Sequence, residues 1–444
     1  MRCFFVYRVN SLCSRRSYPE ALRLRANKID LSTIEIYRVN DYSEDLYEGV
    51  PQKMSAMAQR VAGFGTTVFV EINDLARQRN AVNLGQGAPD FDGPPEVLAA
   101  AVTAINGQLN QYAPGIGMPL LRAAVARHAE RFYGQKIDSQ TEVLITSGAT
   151  EAVFASILGL ADVGDEVIVF EPVYDSYVPN MVMAGVKPHY VPLRGDHWNF
   201  DADELAKAFN PRTRAIIVNT PHNPTGKVYS REELSLIADL CRKHQVVAIT
   251  DEVYEHILYD GISHTRLATL PGMAERTLTI SSVGKSFSVT GWKIGWAIGP
   301  ADLVNAVNRA HQFITFAVAS PLQAAAATAL TLPLKYFQDL QMSYQSKRNR
   351  MLDVLGQAGF RVLKPQGSYF IMADWRNVAP RHVKDDVQFA RWLTIEIGVA
   401  CIPPSAFYQE TDKEMGRHLA RFAICKKDET LAAAAERLGK LGKL

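Results

Sequence analysis

The stretch VVAITDEVY, residues 246–254, decides the fold. Val246 to Thr250 are apolar or small without a break, and the character then changes abruptly at Asp251, Glu252 and Tyr254. An apolar run with no polar alternation suits a strand buried on both faces, the signature of a parallel sheet. The same pattern recurs at Val143 to Thr146, Glu166 to Phe170, Ala215 to Asn219 and Thr277 to Ser281. Each run ends in a turn-rich motif and is followed by a helix-like stretch. In the clearest of these, Ser230 and Glu233 form an S-x-x-E capping box, and Leu234, Ile237, Ala238 and Cys241 share one face. Repeated units of this kind predict an α/β fold: a mostly parallel central sheet with helices on both faces.

Beyond Tyr336 the pattern loosens. Strand-like segments at Phe360 to Val362, Tyr369 to Ala373 and Arg421 to Cys425 precede a helix over Glu429 to Leu441, capped by Asp428. This predicts a smaller α+β domain built from both chain ends. The expected division is an N-terminal extension over 1–53, the first part of the small domain over 54–93, a large domain over 94–335 and the rest of the small domain over 336–444.

Composition narrows the function classes. The 444 residues carry a formal net charge of only +2, which gives no electrostatic case for nucleic-acid or membrane binding. No apolar run approaches the ~18 residues that would span a bilayer. Five scattered cysteines without C-x-x-C spacing argue against a disulfide framework or structural zinc, and suit a reducing cytoplasm. Arg2, Arg8, Arg15, Arg16, Arg23, Arg25 and Lys28 face one early acid, Glu20. Such a start reads either as an organellar transit peptide or as an extended start before a fold beginning near Met54 or Met57.

Ligands of open α/β sheets bind beyond the carboxyl ends of the strands, where four polar clusters fall. Ser147-Gly148-Ala149-Thr150-Glu151 makes a strand-to-helix turn whose free N–H groups suit a phosphate; it also reads as a purely structural turn. NTPHNPTG, residues 219–226, is a rigid turn that sets the Asn223 amide at a strand end. Asp251 is either a helix N-cap or the partner of a cationic ring nitrogen, with the Tyr254 phenol facing a neighbouring oxygen. The spacing of Asp251, Glu252, Glu255 and His256 matches no metal motif, so no metal is expected. In the fourth cluster, SSVGKSF at 281–287, Lys285 follows a buried strand, and a second cation, Lys293, stands eight residues on. A desolvated lysine beside another cation has a depressed pKa and forms Schiff bases readily. Ser282 and Lys293 would then hold a phosphate.

In this order, NTPHNPTG, DEVY, SVGKSFSVTGWKIGW and RFAICKKDE resemble the class I/II aminotransferases, the fold-type I pyridoxal-phosphate enzymes, from about Phe69 to the C-terminus. VNLGQGAPDF at 82–91 and NQYAPGIGMPLLR at 110–122 resemble the kynurenine and methionine aminotransferase branch. The resemblance implies that Lys285 carries pyridoxal 5′-phosphate and shuttles the proton. It pairs Asp251 with the ring nitrogen, sets Asn223 and Tyr254 on the ring's phenolic oxygen, and stacks Tyr174 on the ring. Ala149, Thr150, Ser282 and Lys293 would cradle the phosphate. Tyr112 would reach the phosphate of a second subunit, which implies a homodimer. Arg421 would grip the substrate α-carboxylate, with Gly87 and Asn223 nearby. Independently, Arg421 begins a predicted buried strand, and a carboxylate suits its planar fork; a rim salt bridge is the plainer reading.

Phe69 and His311 fall at side-chain-pocket positions, implying aromatic, sulfur-containing or imidazole substrates; Phe69 also reads as core packing. Two departures stand out. Lys293 replaces the arginine usual in the broad class, and Thr150 replaces an aromatic found in some relatives, which puts efficient kynurenine use in doubt. The expected activity is amino transfer between an amino acid, such as methionine or an aromatic one, and a 2-keto acid. The rivals are a cysteine-S-conjugate β-lyase and a non-enzymatic cofactor-binding regulator, for which residues before Gly63 show no helix-turn-helix pattern.

Overall fold

The computed structural model describes residues 57–65 and 67–441. The predicted N-terminal extension, with Cys3 and Cys13, lies outside the described residues. Seven strands form the central sheet in the order Val143–Thr146, Gly295–Ile298, Thr277–Ser282, Val247–Asp251, Thr213–Asn219, Glu166–Glu171, Lys187–Pro192. All neighbours run parallel except Gly295–Ile298, which is antiparallel to both of its partners.

The continuous apolar runs now have their reason. Successive residues alternate across a strand, and here both faces are covered. Ile168, Ile216, Val218 and Ala248 enter one core, while Val167, Val169, Ala215, Ile217, Val247 and Ile249 enter the other. Each fully buried valine or isoleucine side chain contributes about 1.5–3 kcal/mol on leaving water. The Arg231–His244 helix lays Leu234, Ile237, Ala238 and Cys241 on the first face. Its capping box is formed, with Ser230 and Glu233 each bonding the other's backbone N–H. The Gly148–Leu160 helix covers the second face.

Two strands of the central sheet escape the sequence reading. Lys187–Pro192 is an edge strand with only its last two residues buried, so it carries Lys187, Pro188 and His189 and no apolar run. Gly295–Ile298 is short and follows directly on the Lys293 motif, which masks it.

A second, three-stranded antiparallel sheet pairs Arg361–Leu363, Phe370–Asp374 and Leu419–Ala423. Its core gathers Ile72, Ala76 and Leu84 with residues between Tyr344 and Leu441. Val82–Asn83 pairs in parallel with Val399–Ala400, tying the early chain to the late chain. The helix Leu334–Gln357 begins just before the expected boundary at 336.

Three local expectations need correction. Asp428 is the first residue of the last helix, Asp428–Leu438, and Lys427 holds the cap position without a side-chain bond. The capping carboxylate comes from far away in sequence: Asp90 accepts from the Lys427 N–H at 2.6 Å and from the Thr430 hydroxyl at 2.6 Å. Arg421 lies in the middle of its strand rather than at its start, paired with Met372 and bridged to Ile402. Asp251 is no helix N-cap: it ends a strand and is followed by a turn, and its Oδ1 accepts from the Val253 N–H at 3.3 Å.

Candidate active site

Strand register sets the site. Asn219 pairs with Asp251, Asp251 with Ile280, and Ser282 with Gly295, which in turn faces Thr146. The polar clusters that follow these strand ends therefore share one edge of the sheet. A cavity of about 210 Å³ opens there. Ala149, Thr150, Tyr174, Asn223, Asp251, Tyr254, Ser282, Lys285 and Lys293 line it, from strand ends and from the turns and helix starts that follow them.

At one end of the cavity the Gly148–Leu160 helix presents its N-terminus with no side-chain cap on its N–H groups. Lys293, in a left-handed conformation, reaches it and donates from Nζ to the Thr150 hydroxyl at 3.3 Å. Gly148 itself has φ +73°, and a Cβ there would stand 3.1 Å from Lys293 Cε and 3.2 Å from Nζ. Two positive ends, one helix and one ammonium, thus meet over a left-handed backbone turn that strains any L side chain. Such a cradle suits an anion.

Lys285 sits in a short helical turn, Val283–Ser286, directly after the Thr277–Ser282 strand. Its Nζ lies 5.7 Å from the Tyr254 ring centre and 5.8 Å from that of Tyr369. Burial lowers its pKa; Cys425 and Asp251 oppose the shift, while Lys293 and Arg421 add to it. Lys293 contributes, as the sequence predicts, but desolvation is the larger cause. Asp251 is buried, which raises its carboxyl, and the Tyr177 hydroxyl partly offsets this by donating to Oδ2 at 2.6 Å.

Arg421 approaches from the smaller sheet. Its Nη1 donates to Asn223 Oδ1 at 2.9 Å and its Nη2 to the Gly85 carbonyl at 3.0 Å, while its buried Nε has no partner. Burial lowers its pKa to about 10. The rings of Phe370, Phe407 and Phe69 surround the guanidinium at 4.1, 5.0 and 5.3 Å. Gly87 lies against Phe370, where a Cβ would come within 2.7 Å of the ring, and its carbonyl accepts from the Tyr369 hydroxyl at 2.7 Å.

Two of the expected residues stand apart. His311 is fully buried, with one ring nitrogen 2.9 Å from Glu151 and the other 3.0 Å from the Gly115 carbonyl, and it does not line the cavity. Tyr112 is 83% exposed, its ring edge-on to Phe316. Sequence reasoning missed Tyr177, Tyr369 and Gly85. Tyr177 had a signal, since it stands only three residues after Tyr174 and opens the helix that follows it. Tyr369 and Gly85 depend on chain crossings that no local pattern reveals.

Among the described residues, one group has the geometry to converge on an ion: His128, Glu255 and His256, with ligand atoms within 4.8 Å of one another. These groups already satisfy each other and their neighbours. Glu255 binds Arg266 at 2.6 Å and Ser281 at 2.8 Å, and the two imidazoles share a 2.8 Å hydrogen bond. The Arg266 guanidinium sits where a divalent ion would be repelled.

Comparison with known proteins agrees with this geometry. The family model "Aminotransferase class I and II" matches residues 79–438. The solved N-succinyldiaminopimelate aminotransferase of Mycobacterium tuberculosis is 47% identical with a TM-score of 0.84, covering 87% of this chain and 100% of its own. A kynurenine–oxoglutarate transaminase of Dictyostelium discoideum is 41% identical over 87% of this chain and 96% of its own length. The crystal structure of an Escherichia coli protein with a methionine aminotransferase function is 37% identical with a TM-score of 0.82, covering 88% and 99%. The kynurenine and methionine relatives fit the branch that the motifs resemble; the succinylated substrate of the first relative lies outside what those motifs imply. All three names denote amino transfer, which does not favour the β-lyase or regulator readings. By fold, motif order and relatives alike, the chain is a member of the class I and II aminotransferases, pyridoxal 5′-phosphate enzymes that move an amino group between an amino acid and a 2-keto acid.

Proposed function

We propose that this aminotransferase takes an amino donor with an apolar or aromatic side chain, methionine and phenylalanine being the model substrates. The observation that carries this reading is the ring of Phe69, Phe370 and Phe407 around the Arg421 guanidinium. Beyond Phe69 and Phe407 a further cavity of about 550 Å³ is lined by Phe64, Val173, Tyr190 and Tyr408, with Asp175 and Lys413 among its polar groups. A side chain attached to a carboxylate held by Arg421 would enter an apolar setting.

The residues present fit pyridoxal phosphate. There is an uncapped helix end with a lysine for the phosphate, a buried carboxyl that gains from a cationic neighbour, and an unpartnered guanidinium nitrogen. When bound, the cofactor supplies an electron sink for the bond broken at the substrate α-carbon. Lys285 would hold it covalently and, once free, move the proton at the α-carbon; its lowered pKa keeps a share of the amine neutral. Asp251 would pair with the ring nitrogen, Asn223 and Tyr254 would bond the phenolic oxygen, and Tyr174 would stack on the ring. Ala149, Thr150, Ser282 and Lys293 would bind the phosphate. Arg421, with Asn223 and Gly87, would orient the α-carboxylate.

The working unit in this reading is a homodimer in which Tyr112 reaches the neighbouring site. Its support is the exposure of Tyr112 together with Phe313 and Phe316. Residues 54–93 and 336–444 would form the small domain around the core they share, and 94–335 the large one. A reducing cytoplasm suits the buried free thiols Cys241, Cys401 and Cys425. Among the described residues no helix is long and apolar enough to cross a membrane.

Steady-state rates across a panel of amino acids with 2-keto acids test the substrate reading. Methionine and phenylalanine should exceed aspartate and N-succinyldiaminopimelate in kcat/KM. A preference for either acidic donor would overturn it.

A further inference from the structure

The Tyr177 hydroxyl has one hydrogen to give, and it goes to Asp251 Oδ2 at 2.6 Å. Asp251 is buried, and among the described residues its other donor is the Val253 N–H, at a longer 3.3 Å on Oδ1. Tyr177 is buried as well, and opens the Tyr177–Ala184 helix. Its ring stands edge-on to Tyr174 with centroids 5.4 Å apart, and its N–H bonds the Tyr174 carbonyl at 3.1 Å. The side chain is thus held by the Tyr174 ring along its length and by the Asp251 carboxylate at its tip.

We propose that Tyr177 is a positioning residue that keeps Asp251 ionised and oriented, so that the shared proton rests on the cofactor's ring nitrogen rather than on the carboxyl group. This deepens the cofactor reading above and rests on it. The chemistry is that of a hydroxyl that keeps its proton and donates it to the carboxylate. Burial, and after it the neighbouring Asp251, push the Tyr177 phenol well above its ordinary range, so it stays protonated. A hydrogen bond donated to a carboxylate favours the ionised form and lowers its affinity for a proton. It opposes the burial that drives Asp251 the other way. With the carboxylate less basic, a proton between it and a pyridine nitrogen lies on the nitrogen. The ring is then cationic and withdraws electrons best. Tyr177 itself does not touch reacting atoms in this scheme.

The test compares two cofactors on two proteins. Pyridoxal phosphate and its 1-deaza analogue, in which a C–H replaces the ring nitrogen, are titrated into wild type and Tyr177→Phe by equilibrium dialysis. A hydrogen bond to a charged group carries enough energy for roughly a 10- to 100-fold effect. Tyr177→Phe should weaken pyridoxal phosphate by at least about 10-fold, with the 1-deaza analogue bound as tightly as by wild type. In turnover, kcat should fall while KM holds. Equal losses for both cofactors would mean that Tyr177 only packs the site, and no loss for either would mean that Asp251 needs no help; each result overturns the proposal. Failure of wild type to bind pyridoxal phosphate at all would instead remove the reading underneath. Should Tyr177→Phe not fold, 3-fluorotyrosine at position 177 keeps the shape and strengthens the donor. It should tighten pyridoxal phosphate and leave the analogue unchanged, and any other pattern overturns the proposal.

Discussion

The Arg421 guanidinium donates to Asn223 Oδ1 across 2.9 Å, joining the three-stranded sheet to the turn at the end of a central strand. The same Asn223 has its own N–H held by Asn219 Oδ1 at 2.7 Å, and Asn219 bonds the Asp251 carbonyl at 2.9 Å. The group proposed to grip substrate is thus wired to the strand that carries Asp251. Removing one partner of a buried, hydrogen-bonded charge pair costs about 2–5 kcal/mol. Arg421→Ala should accordingly raise KM for both amino acid and keto acid by at least about 30-fold while pyridoxal phosphate stays bound. Unchanged KM for both substrates would refute the carboxylate role.

Gly148 tests the anion cradle. An L-residue in its left-handed conformation costs about 1–2 kcal/mol, so Gly148→Ala should lower stability by that amount. Its methyl group would also press on Lys293 Cε and Nζ, so cofactor affinity should fall. Gly134 has φ +66° with nothing within 4 Å of the place a methyl group would take, and serves as the control. Gly134→Ala should lose stability alone. Equal cofactor affinity in the two variants would separate Lys293 from phosphate binding.

The long-range cap on the last helix predicts a purely structural effect. Asp90→Ala should lower unfolding free energy by about 1 kcal/mol, the usual worth of a cap, with kcat and KM unchanged. Urea denaturation measures it, and an unshifted midpoint would mean that Asp90 does not cap Asp428–Leu438.

Buried histidines predict an acid-sensitive stability. Burial pushes the His128 and His256 imidazoles well below their ordinary range, His128 to about 4. Between that value and about 6.5, the unfolded chain binds protons that the folded protein refuses. Stability is therefore fully present above pH 6.5 and declines as pH falls. From pH 7 to pH 5 the loss should be about 2 kcal/mol for each imidazole that stays neutral. His256→Gln should show a shallower decline; an identical slope in that variant would rule the pair out as its source.

How far the sequence carries the fold depends on which elements report on themselves. Strands buried on both faces do, because Val247 and Ala248 enter different cores and both must be apolar. The half-exposed edge strand Lys187–Pro192 has no such constraint and reads as a loop. The cap on the last helix is misassigned from sequence for a related reason: a local acid, Asp428, is available, while Asp90 lies 337 residues from Lys427. At the site, residues sitting in turns behind strands are legible because register alone brings Asn219, Asp251 and Ser282 to one edge. The Tyr177 and Tyr369 hydroxyl bonds and the seclusion of His311 follow from packing, which motif spacing does not encode.

The central claim is that Lys285 is the cofactor's anchor. Borohydride reduction of the pyridoxal phosphate-loaded protein, followed by peptide mass mapping, seals and locates the covalent bond. The modification should fall on the peptide containing Lys285 and on no other lysine. A modified Lys293, or no modified lysine at all, would contradict the account.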